Sequence, residues 1–426
     1  MHKLLLTLTF VVTLGSFSWA ASAQETLNFY KQELGSFPSQ KSRDTRAYAA
    51  SLASGVDTWV LQNEKETSVQ DALLWQARLL FQAQHYGAVM ATLFKLRYLY
   101  SQADMAQITP LFTDVVKSLD KESRTVASQL LSKGSSADAH TPQAREAEML
   151  YALSKLRGSS FYPAAAQAFE RFFARYPEYP DNNAVELWYG DLHRENGNYL
   201  AAISQYKKAD VLYPNSPYKA ASLRLIGDIY ADNLKNTAAA TEAYTTVLRL
   251  YPGSAETGTV YKHMAILDEN NKQYDSALIN YDKAIELLTD TSSVYEAYRG
   301  KADVHIKMKQ YAEAYQVLHQ AAAMPKLDKA KAVEALDDAG KLATGKLNDP
   351  SKYIQSLEKA ILLAPADPDT PQRMHTLAKT YEKQGKLNQA MATYKKLILQ
   401  FPTSKYASRA QKRLLKLEAQ AEQTIQ

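Results

Sequence analysis

The sequence has 426 residues, of which 46% are apolar, and its 50 basic and 45 acidic residues give a formal net charge of +5. The length is too great for one ordinary globular core, and the apolar content excludes wholesale disorder. The absence of cysteine excludes disulfides, cysteine-ligated zinc, thiol catalysis and a lipidated N-terminal cysteine. The small, dispersed excess of positive charge gives no indication of nucleic-acid binding.

The N-terminus has the pattern of a secretory signal peptide. Lys3 precedes the apolar run Leu4–Leu14, and Ala21-Ser22-Ala23 supplies the small residues of a cleavage site. An uncleaved membrane anchor is the alternative, but the run is shorter than the ~20 apolar residues that a span needs. We therefore predict a signal peptide over residues 1–23, cleavage after Ala23, and a periplasmic or secreted protein that is not a lipoprotein and has no transmembrane segment.

The rest of the chain divides into four predicted parts. Polar residues around Gly134–Thr141 mark a joint between an irregular N-terminal part and a regular repeat array. The four parts are an N-terminal helical cap or partial repeat (24–69), divergent helix-pair repeats (70–141), a regular array (145–404), and a capping helix with a polar tail (405–426).

One sequence motif, which we call the phrase, recurs along the chain and predicts amphipathic helices. An aromatic residue is followed by a small residue three positions later and by a large one four positions after that, as in Tyr274–Ala277–Tyr281. Successive phrases are about 37 residues apart, except for one double gap that predicts a degenerate unit near Ala127. The central position falls at Val89, Ala165, Ala202, Ala240, Ala277, Ala314, Tyr353 and Ala390.

A second helix is predicted about a dozen residues before each phrase, separated from it by helix-breaking residues such as Glu195-Asn196-Gly197-Asn198. Proline disfavours helix in the residue before it, so prolines between the units should end the second helix of each pair. These prolines stand in Tyr176-Pro177, Tyr213-Pro214, Tyr251-Pro252, Ala364-Pro365 and Phe401-Pro402.

This pattern resembles the tetratricopeptide repeat. The small residue of the family's first helix corresponds to Gly190, Gly227, Ala265, Ala302 and Ala378. The longer unit, with its phrase Tyr213–Ala221, is similar to repeats of bacterial envelope proteins, of the type found in the outer-membrane assembly lipoprotein BamD and the periplasmic Tol partner CpoB. The resemblance implies an all-α, right-handed α-solenoid of about 8–9 helix pairs with a C-terminal capping helix, in which each unit is stabilised by its neighbours.

The sequence carries no motif of a known catalytic or cofactor site. The histidines never pair at metal-ligand spacing, and we predict no enzyme activity, no cofactor and no metal site. Asp191, Asp228 and Asp303 share one repeat position. Carboxylates that recur in this way could serve acid–base chemistry, but we expect them to form salt bridges that face a groove. The 28 tyrosines allow stacking on carbohydrate, although most lie at packing positions.

The resemblance also implies that the first helices line a concave groove. Long charged side chains of both signs occupy the groove positions, which suits an extended or helical polypeptide. Trp188 lies beside these positions and borders the predicted groove. The candidate protein-binding residues are Leu187, Trp188, Asp191, Arg194, Arg224, Asp228, Lys262, Glu269, Arg299, Asp303, Lys307, His375 and Lys379.

The resulting hypothesis is a non-catalytic periplasmic adaptor that binds a client polypeptide or an envelope assembly, with possible peripheral association with an outer-membrane complex. The alternative is a scaffold for polysaccharide export or cell-wall glycan binding. An enzyme whose site is assembled across repeats is a third possibility, and no motif supports it.

Overall fold

The computed structural model describes residues 22–37, 42–100, 105–136 and 138–425. These residues form helices and connecting turns without any β-strand. The chain divides into two compact units, one up to Ser222 and one from Leu223. The predicted signal peptide lies outside the described residues except for its last two, Ser22 and Ala23. None of the described helices combines the length and apolar character that crossing a membrane requires.

The first unit contains ten helices in the residues that are described. A short 3₁₀ turn, Val116–Ser118, follows α5. The helices are α1 (Ala23–Gly35), α2 (Arg43–Gln62), α3 (Val69–Gln82), α4 (Tyr86–Leu99), α5 (Met105–Val115), α6 (Lys121–Lys133), α7 (Pro142–Ser154), α8 (Tyr162–Arg175), α9 (Asn182–Glu195) and α10 (Tyr199–Leu212).

The second unit begins within α11 (Lys219–Asp228), which continues as a π-helical turn, Ile229–Asn233. The remaining helices are α12 (Thr237–Leu250), α13 (Thr257–Asn270), α14 (Tyr274–Leu287), α15 (Thr291–Lys307), α16 (Tyr311–Ala322), α17 (Lys329–Gly345), α18 (Pro350–Leu363), α19 (Thr370–Lys383), α20 (Leu387–Gln400) and α21 (Lys405–Ile425).

Helices α3 to α20 form nine consecutive pairs, which confirms the predicted all-α helix-pair repeat. The degenerate unit expected near Ala127 is the pair α5–α6, whose first helix contains Pro110. The central position of the phrase is completely buried in eight of the nine pairs, and Tyr353 is the half-buried exception. A small side chain at this position lets the two helices of a pair approach closely, and the large residue one turn later fills the groove beside it.

The prolines end the second helices where the sequence predicts. Helix α10 stops at Leu212, before Tyr213-Pro214, and α20 stops at Gln400, before Phe401-Pro402. The residue before a proline is driven out of the helical region, which separates one pair from the next. After the last proline, the Ser404 Oγ atom accepts a hydrogen bond from the Tyr406 amide at 3.2 Å, at the start of α21.

Helix α21 is the predicted C-terminal cap. Its buried residues Ala410, Leu414 and Leu417 join Tyr394 and Leu397 of α20 in one apolar cluster. The final repeat therefore has its apolar face covered, as the last unit of a repeat array requires. Five cationic residues of α21 are exposed, namely Lys405, Arg409, Lys412, Arg413 and Lys416.

A half-buried histidine links two neighbouring pairs in the second unit. His319 of α16 lies 3.0 Å from the Ser356 Oγ atom and 3.2 Å from the Lys359 Nζ atom, both on α18. The lysine donates to Nδ1, so Nε2 carries the proton of a neutral ring and donates to the serine. Burial, followed by the charge of Lys359, lowers the pKa of His319 from 6.5 to about 4.

This histidine should make stability depend on pH. Between pH 6.5 and about 4 the unfolded chain binds a proton that the folded state excludes, so the free energy of unfolding falls as the pH decreases. The contribution amounts to at most about 3 kcal/mol over that window. Urea unfolding at several pH values should therefore give a shallower acid dependence for His319→Gln than for the native chain. Parallel pH profiles would contradict the assignment.

Candidate functional site: the first-helix face

The predicted groove residues lie on the first helices of the pairs, and we call this surface the first-helix face. In the first unit, Asp191 follows Gly190 on α9 and is largely buried. Its carboxylate accepts hydrogen bonds from the Tyr206 hydroxyl at 2.8 Å and from the Lys155 Nζ atom at 3.2 Å. Arg194 lies 3.5 Å away on the same helix. Asp191 thus connects its own pair to the preceding one.

Asp228 holds the equivalent position in the second unit. Its carboxylate accepts hydrogen bonds from the Tyr244 hydroxyl and from the His263 Nδ1 atom, each at 2.7 Å, and from Arg224. Arg224 also pairs with Glu256, just before α13. Burial raises the pKa of Asp228, but the bonds from His263, Arg224 and Tyr244 outweigh it and hold that pKa below its usual value. The cluster joins adjacent pairs through the ionised Asp228 carboxylate.

Further ion pairs join the next first helices. Lys307 of α15 lies 2.7 Å from the Glu269 carboxylate of α13. Lys262 of α13 pairs with Glu296 of α15 at 2.8 Å. Arg299 of α15 lies 2.5 Å from Asp338 of α17. These pairs recur between successive first helices of the second unit, and each joins two helices that are distant in sequence. We call them the ladder of ion pairs.

Asp303 departs from this arrangement. It occupies the same repeat position as Asp191 and Asp228, yet it is exposed and makes no ion pair or hydrogen bond within the part of the chain that the structure describes. The pKa of Asp303 is raised above its usual value, mainly by partial desolvation and also by Glu269. The positive charges of Arg299 and Lys307 act in the opposite direction. The carboxylate of Asp303 is exposed and has no hydrogen-bonded or ion-paired partner among the described residues.

The remaining predicted residues occupy different settings. Leu187 and Trp188 are half-buried, and the Trp188 ring packs edge-on against Tyr151, with 5.2 Å between centroids. His375 lies beside two tyrosine rings of the last repeat and its cap. Lys379 is exposed, one turn further along α19. These residues do not belong to the ladder of ion pairs.

A buried tyrosine–carboxylate bond recurs in both units. In each case the large residue of the second helix donates its hydroxyl to a carboxylate of the first helix of the same pair. Burial and the neighbouring negative charge both raise the pKa of these tyrosines, which therefore stay protonated donors. The pairs are Tyr206–Asp191, Tyr244–Asp228, Tyr281–Glu269 and Tyr394–Glu382, at 2.5–2.9 Å.

Sequence reasoning missed part of this pattern. Where aspartate does not follow the small residue of the first helix, glutamate stands one turn after it, as Glu269 does after Ala265 and Glu382 after Ala378. The spacing of four residues places glutamate on the same helix face, and its longer side chain reaches the tyrosine. That exchange could have been read from the sequence.

The ion-pair partners Glu256, Glu296 and Asp338 were also missed, as was Arg373. The Arg373 guanidinium binds both carboxylate oxygens of Asp337 of the preceding pair, at 3.1 and 2.7 Å. Among the described residues, no group of three or more histidines and carboxylates has an arrangement that could hold a metal ion. The first-helix face presents charged and hydrogen-bonding groups.

Two segments of the chain match tetratricopeptide-repeat family models, residues 152–217 and residues 374–404. The first lies in the first unit and the second at the end of the second unit. Together with the nine helix pairs of the described residues, these matches define a helical repeat protein. The chain contains tetratricopeptide repeats. No curated protein sequence matches it.

Solved structures of other repeat proteins resemble the chain over part or most of its length. A tetratricopeptide repeat protein from Parabacteroides merdae is 18% identical, covers 65% of this chain and 98% of its own, and gives a TM-score of 0.36. The C-terminal part of a repeat-containing protein from Cytophaga hutchinsonii is 15% identical, with coverages of 62% and 98% and a TM-score of 0.41. Yeast Tom70 is 16% identical, with coverages of 94% and 93% and a TM-score of 0.30.

Proposed function

We propose that this protein is a non-catalytic scaffold of the bacterial cell envelope, which binds a client polypeptide or an envelope assembly along its first-helix face. The observation that carries the proposal is the ladder of ion pairs between neighbouring first helices. Ion pairing fixes long charged side chains before a partner arrives, so less conformational entropy is lost on binding. Alternating charges also suit a polypeptide of mixed polarity better than an apolar ligand.

Two exposed charges of opposite sign are available on this face in the second unit. Asp303 has no partner among the described residues, and neither does Lys379. Charged groups on a client could therefore pair with them without first breaking an internal bond. Breaking such bonds would cost affinity, because a buried charge left without its partner is strongly unfavourable.

The envelope location is proposed from the N-terminal sequence and from the similarity of the repeats to those of envelope proteins. Residues 1–23 have the charge, apolar stretch and small residues of a secretory signal. A protein exported in this way would act in the periplasm or outside the cell, and peripheral association with an outer-membrane complex fits a scaffold without a lipid anchor.

Glycan binding is the less favoured alternative. The tyrosines Tyr206, Tyr244 and Tyr394 are almost fully buried, and their hydroxyl groups already bind carboxylates. A buried ring has no free face on which a sugar could stack. The exposed side of the Trp188–Tyr151 pair is the exception, so a glycan array is a useful second assay.

Photo-crosslinking in living cells tests the proposal. A photo-reactive amino acid at Asp303 should yield discrete, protease-sensitive protein adducts on a chain whose N-terminus is Gln24. The matched control is Leu362 of α18, which is 82% exposed on a second helix and should yield none of these adducts. Failure to trap any protein at Asp303, equal adducts at both sites, or glycan-array binding would contradict the proposal. A chain that still begins at Met1 would contradict the envelope location.

A further inference from the structure

A cleft of about 560 Å³ lies at the C-terminal end of the second unit, between α19 and α21. We call it the C-terminal cleft. Volumes of this size are typical of sites that hold ligand groups. Six cationic side chains line it, namely Lys379, Lys383, Arg409, Lys412, Arg413 and Lys416.

The charges in the C-terminal cleft are not balanced. Glu382 is the one carboxylate in its lining, and it already binds the Arg413 guanidinium, at 2.5 and 2.6 Å, and the Tyr394 hydroxyl. The nearby Glu418 pairs instead with Lys395. Five of the six cations therefore have no carboxylate partner within the described part of the chain. This contrasts with the first-helix face of the same unit, where most charges are paired.

The C-terminal cleft also has apolar surface. Tyr394 and Leu417 are buried beneath it, and Leu387 is 46% exposed at its edge. His375 completes the lining between these residues and the cations. Burial lowers the pKa of His375, and Lys379 and Arg409 lower it further, against the opposite effect of Glu382. The two cations lower the pKa because their positive potential disfavours the protonated, positively charged ring.

We propose that the C-terminal cleft is the docking site for an acidic segment of a partner polypeptide, one that places at least one apolar side chain against the exposed Leu387. The inference rests on the proposed scaffold function and names the chemistry of the segment. Charge complementarity identifies the occupant, because unpaired cations beside an exposed apolar side chain match carboxylates beside an apolar residue. A flat anionic membrane fits less well, since the cations border a cleft between two helices.

The site differs from an ordinary solvated charged surface in how its cations are arranged. Positive groups from two separate helices border one cavity, and bringing them together costs electrostatic repulsion that an acidic ligand relieves. Side chains such as Lys412 and Lys416 are exposed and lack internal ion pairs, so they are free to bind a carboxylate. Binding should weaken steeply as salt rises, because these charges are open to solvent.

Fluorescence anisotropy with the full mature chain tests this proposal. The probe is a short fluorescein-labelled peptide of glutamate and leucine, and the reference peptide has glutamine in place of each glutamate. The acidic peptide should bind, and the reference peptide at least about tenfold more weakly. Lys412→Glu should weaken binding of the acidic peptide at least about tenfold, because it places a like charge against the ligand.

The matched control is Lys396→Glu on α20, which makes the same change in net charge at an exposed lysine that does not line the cleft. It should leave the affinity within about twofold, since an exposed charge that does not border the cleft is screened by solvent and salt. Equal losses in both variants, or equal binding of the two peptides, would overturn the proposal. Binding to anionic phospholipid vesicles that is lost in Lys412→Glu, without peptide binding, would overturn it in favour of a membrane.

The outcome is separable from that of the proposed function. If protein adducts form at Asp303 but the acidic peptide does not bind, only the C-terminal cleft is refuted and the scaffold function stands. If no adducts form while the peptide binds in a Lys412-dependent way, the cleft has a ligand but the first-helix face has no client.

Discussion

Replacing Gly190 with alanine is expected to destabilise the first unit by about 2 kcal/mol or more. A Cβ atom at this position would lie 2.2 Å from the Cε1 atom and 2.5 Å from the Cδ1 atom of Tyr206. The tyrosine ring cannot yield, because it is completely buried and its hydroxyl is bound to Asp191. Alanine would gain up to about 1 kcal/mol in helix propensity, which is smaller than the cost of displacing the ring.

Gly35→Ala is the control for this substitution. Gly35 ends α1 in the same unit, and a Cβ atom there would have no neighbour within 4 Å. Its substitution should leave stability unchanged or slightly raised, because only the backbone entropy of the unfolded chain changes. Chemical denaturation followed by circular dichroism measures both variants. Equal stability of the two variants would show that the close approach of Gly190 and Tyr206 is not required.

Replacing Asp228 with alanine is expected to cost the second unit about 3 kcal/mol. The substitution leaves Arg224, His263 and the Tyr244 hydroxyl without their shared acceptor in a largely buried setting. The loss is costly because His263 and the Tyr244 hydroxyl stay desolvated without this acceptor, while Arg224 keeps only Glu256. Asp228→Asn keeps the shape and should have an intermediate effect.

Asp282→Ala provides the matched comparison. Asp282 also pairs with a lysine of the same unit, but its side chain is 58% exposed, so its loss should cost less than about 1 kcal/mol. The pKa of Asp228 is lower in the folded state than in the unfolded chain, so its ionised carboxylate contributes to the free energy of unfolding. This contribution is fully present above the ordinary aspartate pKa and is lost as the pH falls through the lower folded-state value. Urea unfolding at neutral pH and below pH 4 measures both effects. Similar losses for Asp282→Ala and Asp228→Ala would contradict the buried-network interpretation.

The helix-pair repeat could be predicted from the sequence because its causes are local. The small central residues, such as Ala277, recur about once every 37 residues, and the prolines that end the second helices act on their immediate neighbours. Even the irregular unit at Ala127 could be placed from the spacing alone. Buried small residues and helix ends depend on positions three or four residues apart, which the sequence displays directly.

The contacts of the charged residues were decided by the tertiary structure. Nothing local to Arg299 indicates Asp338, 39 positions away, as its partner, and nothing local to Asp303 indicates that it has none. Whether a carboxylate meets a cation of the next repeat depends on how two helices stack, and a shift of one helical turn would change the pairing. The sequence by itself therefore determined the repeating framework. The stacking of successive pairs decided which charges are paired and which remain available to a partner.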